Sequence, residues 1–212
     1  EQAIACPLVT FTSRMLLSKV AHLQQGETLL LHAASGGIGT TAIQTARSMG
    51  AAKIIGTVGK PEKIQAALDV GADEVLCLAE GDFSKRVQEL TDGKGADVIL
   101  DSLGGQYTNQ GMDCLAPFGR LVVFGNATGS YSQLNTGLLH ASCRSLLGFS
   151  IGSTRKLRPA WFAETAPAVL QSLCAEQVHI PISARFSLED AAKAHALLEE
   201  RKITGKVILM VQ

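Results

Sequence analysis

LLLHAASGGIGTTAIQTARSMG, running from Leu29 to Gly50, changes character halfway along. TLLLHAA, Thr28 to Ala34, is a short apolar run bounded by turn residues, which marks a strand buried on both faces. GTTAIQTARSMG then reads as a helix closed by Gly50. Between them ASGGIG, Ala34 to Gly39, matches the dinucleotide fingerprint G-x-G-x-x-G except that Ala34 replaces the first glycine. Its place between a strand and a helix is the context that gives such a motif meaning. Gly36 stands where backbone must approach a pyrophosphate without a Cβ, and Gly39 where helix packs closely on strand. Amide groups and the helix N-terminus face the anion, and Ser35 can add a hydroxyl. Ser35, Gly36, Gly37, Ile38 and Gly39 are therefore candidate phosphate contacts; the competing reading is a plain structural turn.

Outward from this turn, strand and helix signals alternate. A helix is expected over about Pro7 to Leu23, then a turn at QQGE. After the glycine helix come a strand at AKIIGTV and a helix at KPEKIQAALDVG with Pro61 in its first turn. A third pair follows, DEVLCL and DFSKRVQELTDG, with Asp82 as N-cap. ADVILDSLGG, QYTNQGMDCLA, GRLVVFGN and SLLGFSIG supply a fourth strand, a helix, and a fifth and sixth strand. The tail gives a helix near Ala160 to Ala175, another opened by SLED with Ser187 as cap, and a last strand GKVILMV. Repeated β-α-β units predict an α/β fold: a doubly wound, Rossmann-like parallel sheet of about six strands with helices on both faces. Ligands bind beyond the carboxyl ends of such strands, so the loops after Leu31, Val58, Leu100 and Phe124 are the ones to inspect.

The bulk numbers exclude several classes. The chain has 212 residues, 46% of them hydrophobic and 18% charged, with zero formal net charge. That supports one sizeable globular domain and argues against a nucleic-acid partner. The basic cluster STRKLR, Ser153 to Arg158, reads as solvated surface. Five cysteines with no C-x-x-C pair argue against a disulfide framework and a structural zinc site, and imply a reducing, cytoplasmic compartment. The five histidines show no metal-binding spacing, so no metal is expected. Cys114 and Cys143 sit in apolar surroundings and read as core thiols. No apolar stretch approaches membrane-spanning length and no signal peptide is visible, so no membrane partner is expected.

The second strand ends at the position that chooses the cofactor. NAD-binding proteins place an acidic residue there to hold the ribose hydroxyls. Here it holds Val58 followed by Gly59, and Lys60 and Lys63 come next on one face of a helix start. Lysine is disfavoured at a helix N-terminus, so a pair there suits the 2′-phosphate of NADP(H). Two solvated lysines are the alternative.

With these residues in view, the sequence resembles the medium-chain dehydrogenase/reductase superfamily, in its zinc-free quinone oxidoreductase branch. The resemblance spans nearly the whole chain. It rests on GETLLLHAASGGIGTTAIQTAR, GTVGKPEK, GADVILDSLGG, GRLVVFGNATG and FSLEDAAKAHALLEERKITGKVILMV. It implies that Asp101, Ser102 and Gly104 lie near the cofactor, and that Phe124, Gly125 and Asn126 support its nicotinamide half. It also implies that Thr12 lies near the nicotinamide, and that the sixth strand, Ser145 to Ile151, pairs with its copy in a homodimer. Leu78 stands about where many of these enzymes carry a tyrosine beside the adenosine phosphate. A substrate domain precedes the equivalent of Glu1 in such enzymes, so residues 1–212 read as the nucleotide-binding domain alone. The strand near 205–212 normally returns to that absent domain. The implied chemistry is hydride transfer from NADPH to a quinone or an activated C=C bond of an enone, alkenal or enoyl substrate, with no catalytic acid or base assigned. The alternatives are a cofactor-binding module without catalysis and a regulatory protein reusing the fold.

Overall fold

In the computed structural model, which describes residues 1–200 and 203–211, the three leucines of the opening stretch sit at the centre of a six-stranded sheet. Leu29, Leu30 and Leu31 are all inaccessible to solvent. Leu29 and Leu31 join the apolar cluster on one face, and Leu30 joins the cluster on the other. The period-2 alternation of a strand therefore meets packed side chains on both sides, which is why the run shows no polar face.

The elements follow the chain as α1 (Gln2–Met15), β1 (Thr28–Leu31), α2 (Gly37–Ser48), β2 (Lys53–Val58), α3 (Ile64–Leu68), β3 (Glu74–Cys77) and α4 (Ser84–Leu90). Then come β4 (Ala96–Asp101), α5 (Gln106–Asp113), β5 (Leu115–Val123), α6 (Gly137–Ala141), β6 (Ser145–Gly148), α7 (Ile151–Leu157) and α8 (Ala160–Cys174). β7 (Ile182–Ser187), α9 (Ala191–Glu199) and β8 (Lys206–Met210) close the chain. The main sheet is parallel throughout, in the order β3-β2-β1-β4-β5-β6. Strand order reverses between β1 and β4, the doubly wound arrangement with its ligand crevice at that switch point.

Several boundaries differ from the sequence reading. α1 starts ahead of Pro7 and continues as a π-helical stretch, Leu16–Val20. Together they form a 19-residue helix, Gln2–Val20, that by length and composition is apolar enough to cross a membrane, contrary to the expectation that no stretch approaches that length. Half of its most apolar window is buried, and it packs on α2 and α8, with Phe11 stacked on Phe162. The helix expected from Lys60 begins as a single 3-10 turn, Pro61–Lys63, before the short α3. Asp82, expected as the N-cap, accepts the Ser84 amide at 2.8 Å but stands one residue before the observed cap, Phe83. The sixth strand stops at Gly148, and Ile151 opens a helix instead of ending a strand. Ser187 bonds the Asp190 carboxylate rather than a helix amide. Cys143, in the turn between α6 and β6, is exposed and has a φ of 52°, unlike the buried Cys114, so it is not the core thiol expected. β8 was expected; its partner β7 was not, and the two form a separate parallel pair. Gln212, at the end of the expected closing strand, lies outside the described residues.

The amino ends of the central strands are held by one side chain. Arg120 of β5 donates to both carboxylate oxygens of Glu27, at 2.8 and 2.7 Å, and to the Ala21 carbonyl at 2.9 Å. It also reaches the carbonyls of Asp97 and His22, each at 3.3 Å. Burial would raise the Glu27 pKa, but the bonds from Arg120 and from the Gln24 amide outweigh it and hold it below the ordinary value. A depressed carboxylate stabilises the fold above its unfolded pKa and loses that contribution as pH falls through its folded pKa. Arg120→Met should cost about 2–4 kcal/mol at pH 7, since it strands a half-buried carboxylate and several carbonyls. Urea unfolding at pH 7 and pH 3.5 checks this: the gap between the two proteins should shrink at the lower pH, and an equal gap at both would contradict it.

Candidate functional site

The turn between β1 and α2 is built by close backbone approach. A Cβ on Gly39 would stand 2.3 Å from the Ala33 carbonyl oxygen and 2.6 Å from that of Ala34. Both are backbone atoms that cannot move aside, so only glycine fits. The alanine that replaces the first fingerprint glycine is accommodated from the next strand. Ala34 is fully buried, and its Cβ lies 2.6 Å from where a Cβ on Gly56 would be. Ala33 takes a left-handed conformation, φ 53°, which costs roughly 1–2 kcal/mol for a residue with a Cβ. Its carbonyl accepts the Gly36 amide at 2.9 Å, closing the turn.

Beyond that turn the first helical bond runs from the Thr40 amide to the Gly36 carbonyl at 2.9 Å. The amides of Gly37, Ile38 and Gly39 precede it, and they carry the positive end of the α2 dipole. They open onto a cavity of about 390 Å³. Its floor is Gly36, Gly37, Ile38 and Gly39; Ser102 and Phe124 close it from the ends of β4 and β5. Six of the sequence-selected residues therefore meet in one groove at the switch point of the sheet.

Residues from outside the six-stranded unit complete it. Leu8 and Val9 of α1 form one wall, and Leu198, Gly205, Lys206 and Val207 reach in from the chain's end. The Gly205 amide donates to the Ser35 carbonyl at 2.8 Å, and Gly36 and Gly205 form an isolated parallel bridge. Lys206 Cδ lies 2.9 Å from where a Cβ on Gly37 would stand. Lys206 makes no ion pair among the described residues, so a cation lies against the phosphate turn. Sequence reasoning missed it because nearly the whole chain separates Lys206 from the glycines; the only sequence signal was the glycine before it.

The other selected residues lie elsewhere. Thr12 is buried and donates its hydroxyl to the Leu8 carbonyl at 2.6 Å, off the groove's lining. Ser35 is buried too. Val58 is packed in the core, so it marks the end of β2 without facing a ligand. Gly59 is open, Lys60 is exposed and pairs loosely with Glu62 at 3.9 Å, and Lys63 is half-buried. Asp101 is fully buried and ties its own loop: it accepts the amides of Leu103 and Gly104 at 2.8 and 3.0 Å and the Thr108 hydroxyl. It shapes the loop rather than presenting a carboxylate. Gly125 lies against that loop, since a Cβ there would meet the Ser102 carbonyl at 2.9 Å. A Cβ on Gly104 would meet Asn126 Oδ1 at 2.8 Å, and that buried oxygen has no hydrogen-bond partner.

His32 at the end of β1 is an additional buried titratable group. Its Nδ1 shares a 2.8 Å hydrogen bond with Thr57, its Nε2 is buried without a partner, and its ring packs edge-on against Phe83. Burial pushes its pKa down from 6.5 to about 4, against the pull of the Asp101 carboxylate, so the ring is neutral at pH 7. The unfolded chain takes up a proton below pH 6.5 and the folded one does not until about pH 4. Stability is therefore fully present above 6.5 and falls by about 1.4 kcal/mol per unit on acidification through that window. His32→Asn should flatten the fall between pH 6.5 and 4.5 in urea titrations; an unchanged slope would show that other groups cause it.

Among the described residues no three His, Cys, Asp or Glu side chains gather as a metal set. Residues 37–167 match the family model described as zinc-binding dehydrogenase. The quinone oxidoreductase of Pseudomonas aeruginosa is 39% identical over 220 residues, covering 99% of this chain and 64% of that protein. The Escherichia coli quinone oxidoreductase complexed with NADPH superposes with a TM-score of 0.89 at 33% identity, covering 99% of this chain and 65% of that one. A 2-haloacrylate reductase superposes with a TM-score of 0.89 at 28% identity, over 100% of this chain and 66% of that one. The chain thus spans about 64% of the length of three curated quinone oxidoreductases that it matches. It belongs to the zinc-binding dehydrogenase family, as the cofactor-binding domain of its quinone oxidoreductase-like, medium-chain branch.

Proposed function

We propose that this domain binds NADP(H) and serves an oxidoreductase that delivers hydride to a quinone or an activated C=C bond. The observation that carries the reading is the groove at the switch point, floored by Gly36 to Gly39 and open to the free amides of α2. The residues fit a dinucleotide. The glycines let the first turn of α2 close onto the end of β1, so that its leading amides face the groove, and Lys206 adds a cation beside them. The buried, unpartnered Asn126 Oδ1 offers an acceptor near the β4 and β5 loops, where the nicotinamide half is placed by this reading. Gly104, Gly125 and Phe124 shape that end and Ser102 lines it, while Thr12 bonds the carbonyl of Leu8 in the groove wall. When bound, the cofactor supplies hydride; the protein's part is to fix its position and exclude water.

The 2′-phosphate preference rests on the strand end. The strand ends on Val58 and Gly59 follows, with no carboxylate at either position, and Lys60 and Lys63 come next. The Lys60–Glu62 pair is long and exposed, so it gives way readily to a phosphate. The substrate, as a small quinone or enone-type molecule, is supported by the quinone oxidoreductase and 2-haloacrylate reductase relatives. A zinc-independent mechanism is part of this reading through the resemblance to the zinc-free quinone oxidoreductase branch. The outer edge of β6 is unpaired and carries the half-exposed Leu146, which supports a homodimer through Ser145–Gly148. Among the described residues β7 and β8 form a two-stranded sheet. Such a pair is marginal alone, which supports its completion by a substrate domain of the whole protein. Cytoplasmic placement agrees with the free cysteines.

Fluorescence titration tests the cofactor reading. The chain should bind NADPH at least tenfold more tightly than NADH, and Lys60→Ala with Lys63→Ala should close most of that gap. Lys206→Met should weaken both cofactors by a similar factor, because the pyrophosphate is common to them. Equal affinities in the unmodified chain would sink the 2′-phosphate assignment.

A further inference from the structure

Helix α1 meets α2 through two hydroxyls as well as through apolar contacts. Ser13 and Thr41 are completely buried, and their side-chain oxygens stand 2.7 Å apart. Ser13 Oγ reaches the carbonyl oxygens of Val9 at 2.8 Å and Ile38 at 3.2 Å. Thr41 Oγ1 reaches those of Gly37 and Ile38, each at 3.0 Å, and that of Val9 at 3.3 Å. Two hydroxyl protons therefore serve three carbonyls and the bond between the hydroxyls. One hydroxyl donates to its partner, and the partner donates to a carbonyl. In either direction the bonds end on residue 9 of α1 or on residues 37 and 38 of α2. A buried hydroxyl is costly to leave unbonded, so the pair holds the helices at one separation.

That separation fixes the width of the groove. Leu8 and Val9 form its wall, and the glycine turn forms its floor. A Cβ on Gly37 would stand 3.1 Å from Val9 Cγ1, so wall and floor are already in close contact. Ser13 follows Val9 by one helical turn, and Thr41 follows Gly37 by one. The hydroxyl bond is thus the adjacent tie on both helices. We propose that Ser13 and Thr41 are positioning residues for the dinucleotide, setting the distance between α1 and the pyrophosphate-binding turn. The proposal rests on the NADP(H) reading, and it assigns a role to a pair that touches no ligand itself.

Thr41→Val removes one hydroxyl at nearly constant shape, and Ser13→Ala removes the other. Each should weaken NADPH binding to the 212-residue chain by roughly tenfold. Binding of 2′-AMP, which carries the 2′-phosphate and no pyrophosphate, should stay within twofold of the unmodified chain. Thr41→Ser, which restores the hydroxyl, should recover the NADPH affinity. Thermal unfolding confirms that the compared variants are folded. If NADPH affinity is unchanged in the folded variants, or if 2′-AMP weakens by the same factor, the positioning role is wrong. If the unmodified chain binds neither ligand, the cofactor reading fails and takes the proposal with it.

Discussion

Residue 39 has no room for a side chain, and the arrangement of the site follows from that. The first turn of α2 stands 2.3 Å from the Ala33 carbonyl when measured from the missing Cβ. This approach aims the helix amides at the end of the sheet where β1 and β4 diverge. It also obliges neighbouring elements to be small. Ala34 needs Gly56 beside it on β2, and Gly37 is wedged between Val9 and Lys206. The glycines are consequences of helix, strand and tail converging on one point, and the same convergence makes a cradle for an anion.

The two ends of the sheet divide the labour. At the amino ends Arg120 gathers Glu27 and three carbonyls from separate segments, a contact between residues far apart in sequence. At the carboxyl ends polar groups are held in tension instead. His32 is neutral and has a ring nitrogen without a partner, Ala33 is left-handed, and Asn126 keeps an unsatisfied oxygen. Departures of this kind gather where a ligand is received, and the well-satisfied opposite end offsets them.

Much of the fold could be read from periodicity. Leu29 to Leu31 announce a strand buried on both faces, and the spacing of Gly36 and Gly39 announces the turn. What stayed hidden involves burial or long-range contact. The resemblance put Asp101 near the cofactor, but its carboxylate is taken up by its own loop, a contact that only the folded chain shows. Val58 holds the expected register yet faces the core. β7 escaped notice because ISARFS is polar and half-exposed, so its pattern resembles a loop. Lys206 could not be placed beside the glycines, since contact across that much sequence leaves no local pattern. Ser13 and Thr41 lie on different helices, so no local pattern signals that their hydroxyls meet.

The role of the glycine turn as the pyrophosphate seat is tested most directly by mapping amide shifts in nitrogen-15 NMR spectra during an NADPH titration. The largest shifts should fall on Gly36, Gly37, Ile38 and Gly39, with a second set at Ser102 and Gly125. Shifts concentrated instead around Lys19, Phe149 and Trp161, which line a separate groove beside β6 and α8, would contradict that role.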